Sequence, residues 1–363
     1  MKVLGIVAEY NPLHNGHLYQ IRRIKEIFGE DVLVVVVISG DFVQRGEISF
    51  LDKWEKTYVN LEYGVDLVVE LPLYYSIQNA EIFSRMSTKI LDYFELDFQV
   101  FGAEEKNIEV LDRIIELQER EDYKKNLMEL MKKGNSYSTS QKLALLEYGY
   151  GDAVKSNNIL ALEYMRTMKK EKLGIKPYII KREISDYNEI EIEEGRKSIA
   201  SATFIREEIL KNSGNPENIR KFIPEKTYEI LERVYISSGK DDEQQKWQNL
   251  KNSMFKFLKY KLLMETKKEI IKIYDMNDEI YARIYRGVSK SNAYEVFLKE
   301  VKSRNFSIKR IERIVLNILL NVTKKAVDFE LDYIRVLGFN QKGQEYLKQL
   351  KKNKKVFNEK SYM

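Results

Sequence analysis

Gly5 to Tyr19 reads GIVAEYNPLHNGHLY, and the order of its parts decides the fold. Val3, Leu4, Ile6 and Val7 make a buried strand, Asn11 and Pro12 a polar turn, and Leu18, Ile21, Ile24 and Phe28 the apolar side of a helix. The helix start is then an anion site. Its first backbone N–H groups lack intrahelical partners, and the aligned peptide dipoles add about half a positive charge. Gly16 has no side chain and lets a phosphate approach the backbone closely. The whole chain holds two histidines, and both stand in this turn as His14 and His17. Three residues apart, two imidazoles can point at one phosphate group and donate to the charge that builds on a leaving pyrophosphate. The plainer alternative is a helix start at which the two rings only cap and pack.

The apolar segments that follow repeat the pattern. Asp31 to Ser39, DVLVVVVIS, is a β-branched run without alternation, as in a parallel strand covered on both faces. Val65 to Leu71 and Phe98 to Phe101 are further strands, separated by helical patterns over about 52–63 and 79–94. This alternation predicts an α/β fold: a Rossmann-like parallel-sheet domain followed by a mostly α-helical carboxyl-terminal domain. Loops after the carboxyl ends of such strands form the ligand rim. Arg45, between Ser39 and Lys56, is there a candidate anion clamp, and Gly102 lets an adenine or ribose lie against the backbone. From 107 to about 170 the period is helical, broken at Gly134 to Tyr137, and Asn157 or Asn158 is placed to cap the last of these helices. Pro177 to Glu183 is a short strand delivering Arg182, and an acidic loop follows over 185–197. Ser198 to Arg206, SIASATFIR, opens another helix that Ser201 and Thr203 can cap, again with its amino end open to a phosphate.

A chain of 363 residues is expected to form two domains, and Pro216 and Pro224 mark a linker between 1–213 and 214–363. Charge divides the same way. Residues 1–210 carry 28 Lys and Arg against 36 Asp and Glu, net −8, whereas residues 211–363 carry 33 against 20, net +13. A basic half beside an acidic catalytic half points to a nucleic-acid partner. From Thr227 the pattern is almost wholly helical, interrupted near Ser237 to Asp242 and Gly287 to Ser291. Ser307 caps a helix whose Ile311, Ile314, Val315, Ile318 and Leu319 face a core, while Arg310, Arg313 and Asn317 lie along a side suited to a phosphate backbone. Tyr333 to Gly343 ends in a glycine turn before a tail with Lys351, Lys352, Lys354 and Lys355. With no cysteine and its two histidines in one place, the chain offers neither disulfides nor a zinc centre, and no protein metal ligands are assigned. No apolar run of 18 residues or leader pattern is present, so a soluble cytoplasmic protein without a membrane partner is expected.

His14-Asn15-Gly16-His17 resembles the HxGH signature of the nucleotidyltransferase superfamily that includes the class I aminoacyl-tRNA synthetases. In order along the chain, GIVAEYNPLHNGH (Gly5 to His17), SGDFVQRGE (Ser39 to Glu47), DLVVELP (Asp66 to Pro72), FGAE (Phe101 to Glu104) and NNIL (Asn157 to Leu160) are similar to the bacterial tRNA(Met) cytidine acetate ligases. So are SIASATFIR (Ser198 to Arg206), KSRNFSIKRIERI (Lys302 to Ile314) and YIRVLGF (Tyr333 to Phe339). The resemblance implies a ligase that activates acetate with ATP to acetyl-adenylate and pyrophosphate. The acetyl group then passes to the exocyclic amine of the wobble cytidine of elongator tRNA(Met), giving N4-acetylcytidine. It implies an ATP site of Val7, Ala8, Glu9, Tyr10, Asn11, Pro12, Leu13, His14, Asn15, Gly16, His17, Leu18, Tyr19 and Gln20, with Gly102, Asn157 and Arg182. His14, His17 and Arg206 take catalytic roles, and Ser201 and Thr203 belong with Arg206 to an ISSTxxR-type segment that closes over the triphosphate. Mg²⁺ accompanies ATP, and the basic domain holds the tRNA. Two alternatives remain: an HxGH enzyme joining AMP to a small acceptor, and a tRNA-binding protein on a degenerate nucleotide fold. Asp41 replaces the family's Asn, and Ala103, Ser156 and Asn188 replace Ser, Pro and His. Asp41 adds a rim carboxylate that needs pairing with Arg45.

Overall fold

The computed structural model describes residues 1–153, 155–181, 199–211, 217–236 and 243–353. Arg182, Ser198, the acidic loop, Pro216, Ser237 to Asp242, Lys354 and Lys355 lie outside the described residues.

The strands are β1 (Val3–Ala8), β2 (Leu33–Ser39), β3 (Phe42–Val43), β4 (Glu47–Ile48), β5 (Leu67–Leu71), β6 (Phe98–Ala103), β7 (Lys176–Lys181) and β8 (Val336–Phe339). Five of them are parallel, in the order β7-β6-β1-β2-β5, and β8 pairs antiparallel with the outer edge of β5. The run in β2 is apolar throughout because both sides are covered: Leu33, Val35 and Val37 enter one core layer, and Val34, Val36 and Ile38 the other.

One face of the sheet is covered by α1 (Asn15–Phe28), α2 (Lys53–Glu62), α9 (Ala202–Lys211) and α10 (Glu225–Leu231), which supply Ile21, Ile24, Val59, Ile205 and Leu231. The other face holds α3 (Leu73–Ser76), α4 (Ala80–Tyr93), α5 (Ile108–Glu119), α6 (Glu121–Lys132), α7 (Tyr137–Leu146) and α8 (Ser156–Lys170). A third core lies among α11 (Glu243–Met264), α12 (Lys267–Ile270), α13 (Asp278–Lys290), α14 (Tyr294–Val301) and α15 (Ile308–Leu319), centred on Phe255, Ile284, Phe297 and Ile314. Val327 of α16 (Lys324–Asp328), with Tyr346 and Leu350 of α17 (Gln341–Asn353), then returns to the sheet layer.

Three local readings change. The stretch from Phe42 to Ile48 is a hairpin, not an open loop, with Phe42 opposite Ile48 and Val43 opposite Glu47. Of the residues grouped by sequence with the helical part, Val336–Phe339 pair into the sheet and Gln341–Asn353 packs on its layer. Leu67 pairs with Phe339, Asn340 Nδ2 donates to Asp66 Oδ1 at 2.8 Å, and a Cβ at Gly343 would lie 2.1 Å from the Asp66 carbonyl oxygen. Helix α13 runs through Gly287, where the missing side chain admits Val301: a Cβ there would stand 2.5 Å from its Cγ2.

From β1 the chain builds outward through β2 and β5, then crosses to β6 and β7 on the other side of β1. The carboxyl ends of β1 and β6 therefore flank the switch point, where open α/β sheets bind ligands.

Candidate active site

A cavity of about 950 Å³ opens at that switch point. Val7, Ala8, Glu9, Tyr10, Asn11, His14, Gly16, His17, Tyr19 and Gln20 line it from the first strand–turn–helix, with Gly102, Asn157, Ser201, Thr203 and Arg206 from three later elements. Of the remaining expected residues, Pro12, Leu13, Asn15 and Leu18 are buried behind the wall, and Arg182 lies outside the described residues. Asn15 acts there as a strut, its Nδ2 donating to the Lys221 carbonyl at 2.8 Å.

Both histidines cap α1. His14 Nδ1 accepts from Gly16 N–H at 3.1 Å, and His17 Nδ1 accepts from His14 N–H at 3.2 Å. An imidazole that accepts through Nδ1 carries its proton on Nε2, so the caps fix the donor tautomer of each ring. The rings stack with centroids 3.7 Å apart, and Tyr10 meets His17 edge-on at 4.8 Å. Capping is thus how the rings are held, and it is compatible with a donor role for Nε2–H. Gly16 serves the same arrangement, because a Cβ would approach His14 Cε1 to 3.0 Å.

Arg206 fixes the far side of the turn. Its Nη1 donates to the Asn11 carbonyl at 2.8 Å, and its Nη2 lies 3.2 Å from Glu47 Oε2 and 3.4 Å from Thr203 Oγ1. Lys309 of α15 also pairs with Glu47, and with Glu312 at 2.9 Å. Burial alone would raise the Glu47 carboxyl, but Arg206 and Lys309 outweigh it and hold the group below its ordinary value. Ser201 Oγ accepts from Phe204 N–H at 3.1 Å and caps α9 as expected, whereas Thr203 lies inside the helix and does not cap it.

Asn157 and Asn158 serve the site differently from a simple cap. Glu104 accepts from Asn157 Nδ2 at 2.7 Å and from Asn158 N–H at 3.0 Å, while Asn158 Oδ1 takes the N–H groups of Glu104 and Glu105, both at 3.0 Å. This reciprocal lock ties the Gly102 turn to the start of α8. Asp41 does not need Arg45: it sits off the cavity wall, its Oδ1 accepting from Lys53 N–H at 3.2 Å.

Sequence reasoning missed Lys56 and did not foresee the partners of Arg310 and Arg313 or the burial of Asn317. Lys56 is 1% exposed and donates to the carbonyls of Ser39 (2.7 Å), Gly40 (2.8 Å) and Glu9 (3.2 Å), joining the carboxyl ends of β1 and β2. Burial pulls its ammonium down to about 8. Arg310 is held by Asp275 in a two-point pair at 2.7 and 2.8 Å, and Asn317 is buried against Gln78. Arg313 and Lys309 line the cavity, so the helical part contributes cations to it. Their place in the KSRNFSIKRIERI block was the available signal; the face they present was not readable from it.

The sequence matches the model of the HIGH Nucleotidyl Transferase family over residues 1–358. A protein of Fusobacterium nucleatum named tRNA(Met) cytidine acetate ligase is 36% identical over 360 residues, covering 97% of this chain and 86% of that protein. A protein of the same name from Bacillus subtilis is 35% identical over 363 residues, covering 97% and 85%. The crystal structure of Thermotoga maritima TmcAL bound with alpha-thio ATP superimposes with a TM-score of 0.82 at 32% identity, over 97% of this chain and 84% of that one. Its apo form gives a TM-score of 0.84 over 98% and 85%. Similarity of this extent, across the sheet, the histidine turn and the helical part alike, makes the chain a member of the tRNA(Met) cytidine acetate ligase family of HIGH nucleotidyl transferases.

Proposed function

We propose that the protein activates acetate with ATP, forming acetyl-adenylate and pyrophosphate, and transfers the acetyl group to N4 of the wobble cytidine of elongator tRNA(Met). The observation that carries this reading is the composition of one cavity: the paired imidazoles and Lys309 and Arg313 of the basic helical part line the same space. The nucleotide-bound relative and the names of the homologues support it.

Acetate is already ionised and needs no base for its attack on the α-phosphorus. The site must orient two anions and stabilise charge on the departing pyrophosphate. Nε2–H of His14 and His17, together with the start of α1, suits that task. Arg206 holds the Asn11 turn and the hairpin in register with α9 and thereby positions the rings. Mg²⁺ would accompany the triphosphate and neutralise part of its charge; among the described residues no group of three or more His, Cys, Asp or Glu side chains could hold a metal ion. The division of labour we propose gives residues 1–213 the adenylation chemistry and the basic helices the RNA. No described helix is long and apolar enough to cross a membrane.

Incubation with labelled acetate, ATP and total bacterial tRNA should place label in tRNA cytidine. AMP joined to a small acceptor instead, with unlabelled tRNA, would refute the proposal.

A further inference from the structure

We propose that Glu9 is the general base of the second half-reaction, taking the proton that the cytidine amine sheds as it is acetylated; this rests on the acetyl-transfer reading above. The step balances without a further reactant. The N4 lone pair forms a C–N bond to the acetyl carbonyl carbon, the C–O bond to the adenylate phosphate breaks, and its electron pair leaves with AMP. The surplus N4 proton moves to the Glu9 carboxylate, which returns it to water.

The geometry singles out this residue. Glu9 lies at the carboxyl end of β1, one turn before the paired histidines, on the wall of the cavity. Its Oε1 is fixed by Gln44 N–H at 2.7 Å, which leaves Oε2 to meet a substrate. Among the described residues Glu104 is the other carboxylate on the wall, and both its oxygens are spent on Asn157 and Asn158. The histidines accept backbone N–H groups through Nδ1, so Nε2 already bears a proton. Burial raises the phenols of Tyr10 and Tyr164 above their ordinary range, and they remain protonated. Apart from the Tyr19 phenol, the other described titratable groups of the wall, among them Arg45, Arg206 and Arg313, are cations.

The surroundings also suit a base. Arg45 from the hairpin, Lys56 from α2 and Arg206 from α9 act on Glu9, and Tyr164 from α8 faces it. Burial outweighs these cations and raises the carboxyl above its ordinary value, towards the working pH at which proton acceptance is most effective. A cavity near the upper end of the range for one small ligand has room for a nucleotide and an incoming base together. The target base must leave its stack to enter, as bases acted on by enzymes do.

The test compares half-reactions in the full-length protein. Glu9→Gln keeps the shape and the acceptor for Gln44 N–H. Single-turnover acetyl transfer from labelled acetate to tRNA should fall about 10²- to 10³-fold relative to the same variant's acetate-dependent ATP–pyrophosphate exchange. The acid limb of the wild-type transfer profile should vanish in Glu9→Gln and persist in Glu9→Asp, which should recover part of the rate. Equal losses in both half-reactions, unchanged transfer, or an acid limb that survives in Glu9→Gln would overturn the assignment. Wild-type protein that labels no tRNA would overturn the functional reading beneath it.

Discussion

His14 uses one ring nitrogen to start a helix, and the donor role proposed for the other is separable from it by substitution. Asn retains an N-cap acceptor but offers no Nε2–H. His14→Asn should keep stability within about 0.5 kcal/mol while ATP–pyrophosphate exchange falls about 10²- to 10³-fold, the scale for one lost transition-state donor. His14→Ala should show the same kinetic deficit plus a loss of about 1 kcal/mol, read by urea denaturation. Near-normal exchange in the Asn variant would make the rings structural only. Lys56 carries a pH signature. Its ammonium sits at about 8 in the folded chain, below its ordinary value of 10.5, so between those values the unfolded chain binds the extra proton. The burial penalty is complete below pH 8 and is relieved as pH rises towards 10.5. Urea midpoints at pH 7.5 and 9.5 should show wild type gaining on Lys56→Met at the higher pH.

The hairpin of β3 and β4 shows what a sequence discloses at the level of elements and what it conceals. Long apolar runs such as Leu33 to Ser39 announce themselves, since burial on both faces requires them, and the histidine turn was legible because strand, glycine and helix signals coincide within a few residues. Two-residue strands have no period to detect. β8 was hidden for a related reason: its Val336 and Leu337 are half and fully buried in a four-residue strand whose partner, β5, lies far away in sequence. Arg310 and Arg313 had equal claims as RNA ligands until Asp275 and the cavity separated them. Gly46 gives the hairpin a consequence. It has φ +77°, and a Cβ would lie 2.6 Å from the backbone nitrogen of Arg313. Gly46→Ala should cost about 1–3 kcal/mol and displace α15 with Lys309 and Arg313. A thermal midpoint within one degree of wild type would show that this contact yields freely.

At the scale of the whole molecule, the net charge of +13 over residues 211–363 makes affinity for tRNA a salt-sensitive quantity. Six to ten phosphate contacts predict a loss of about 10³-fold or more between 50 and 200 mM salt, measurable by filter binding, with ATP–pyrophosphate exchange far less affected. Arg313→Ala should depart from that division and impair both half-reactions, because its side chain stands in the crevice. The antiparallel strand β8 carries an implication in time. The ribosome has made every helix of the third core before it makes the strand that covers β5, so during synthesis the LVVEL edge waits uncovered while the third core is already complete. A chain stopped after residue 330 should therefore collect in inclusion bodies, whereas one stopped after residue 353 should remain in solution. The catalytic sheet, although begun first, is finished last.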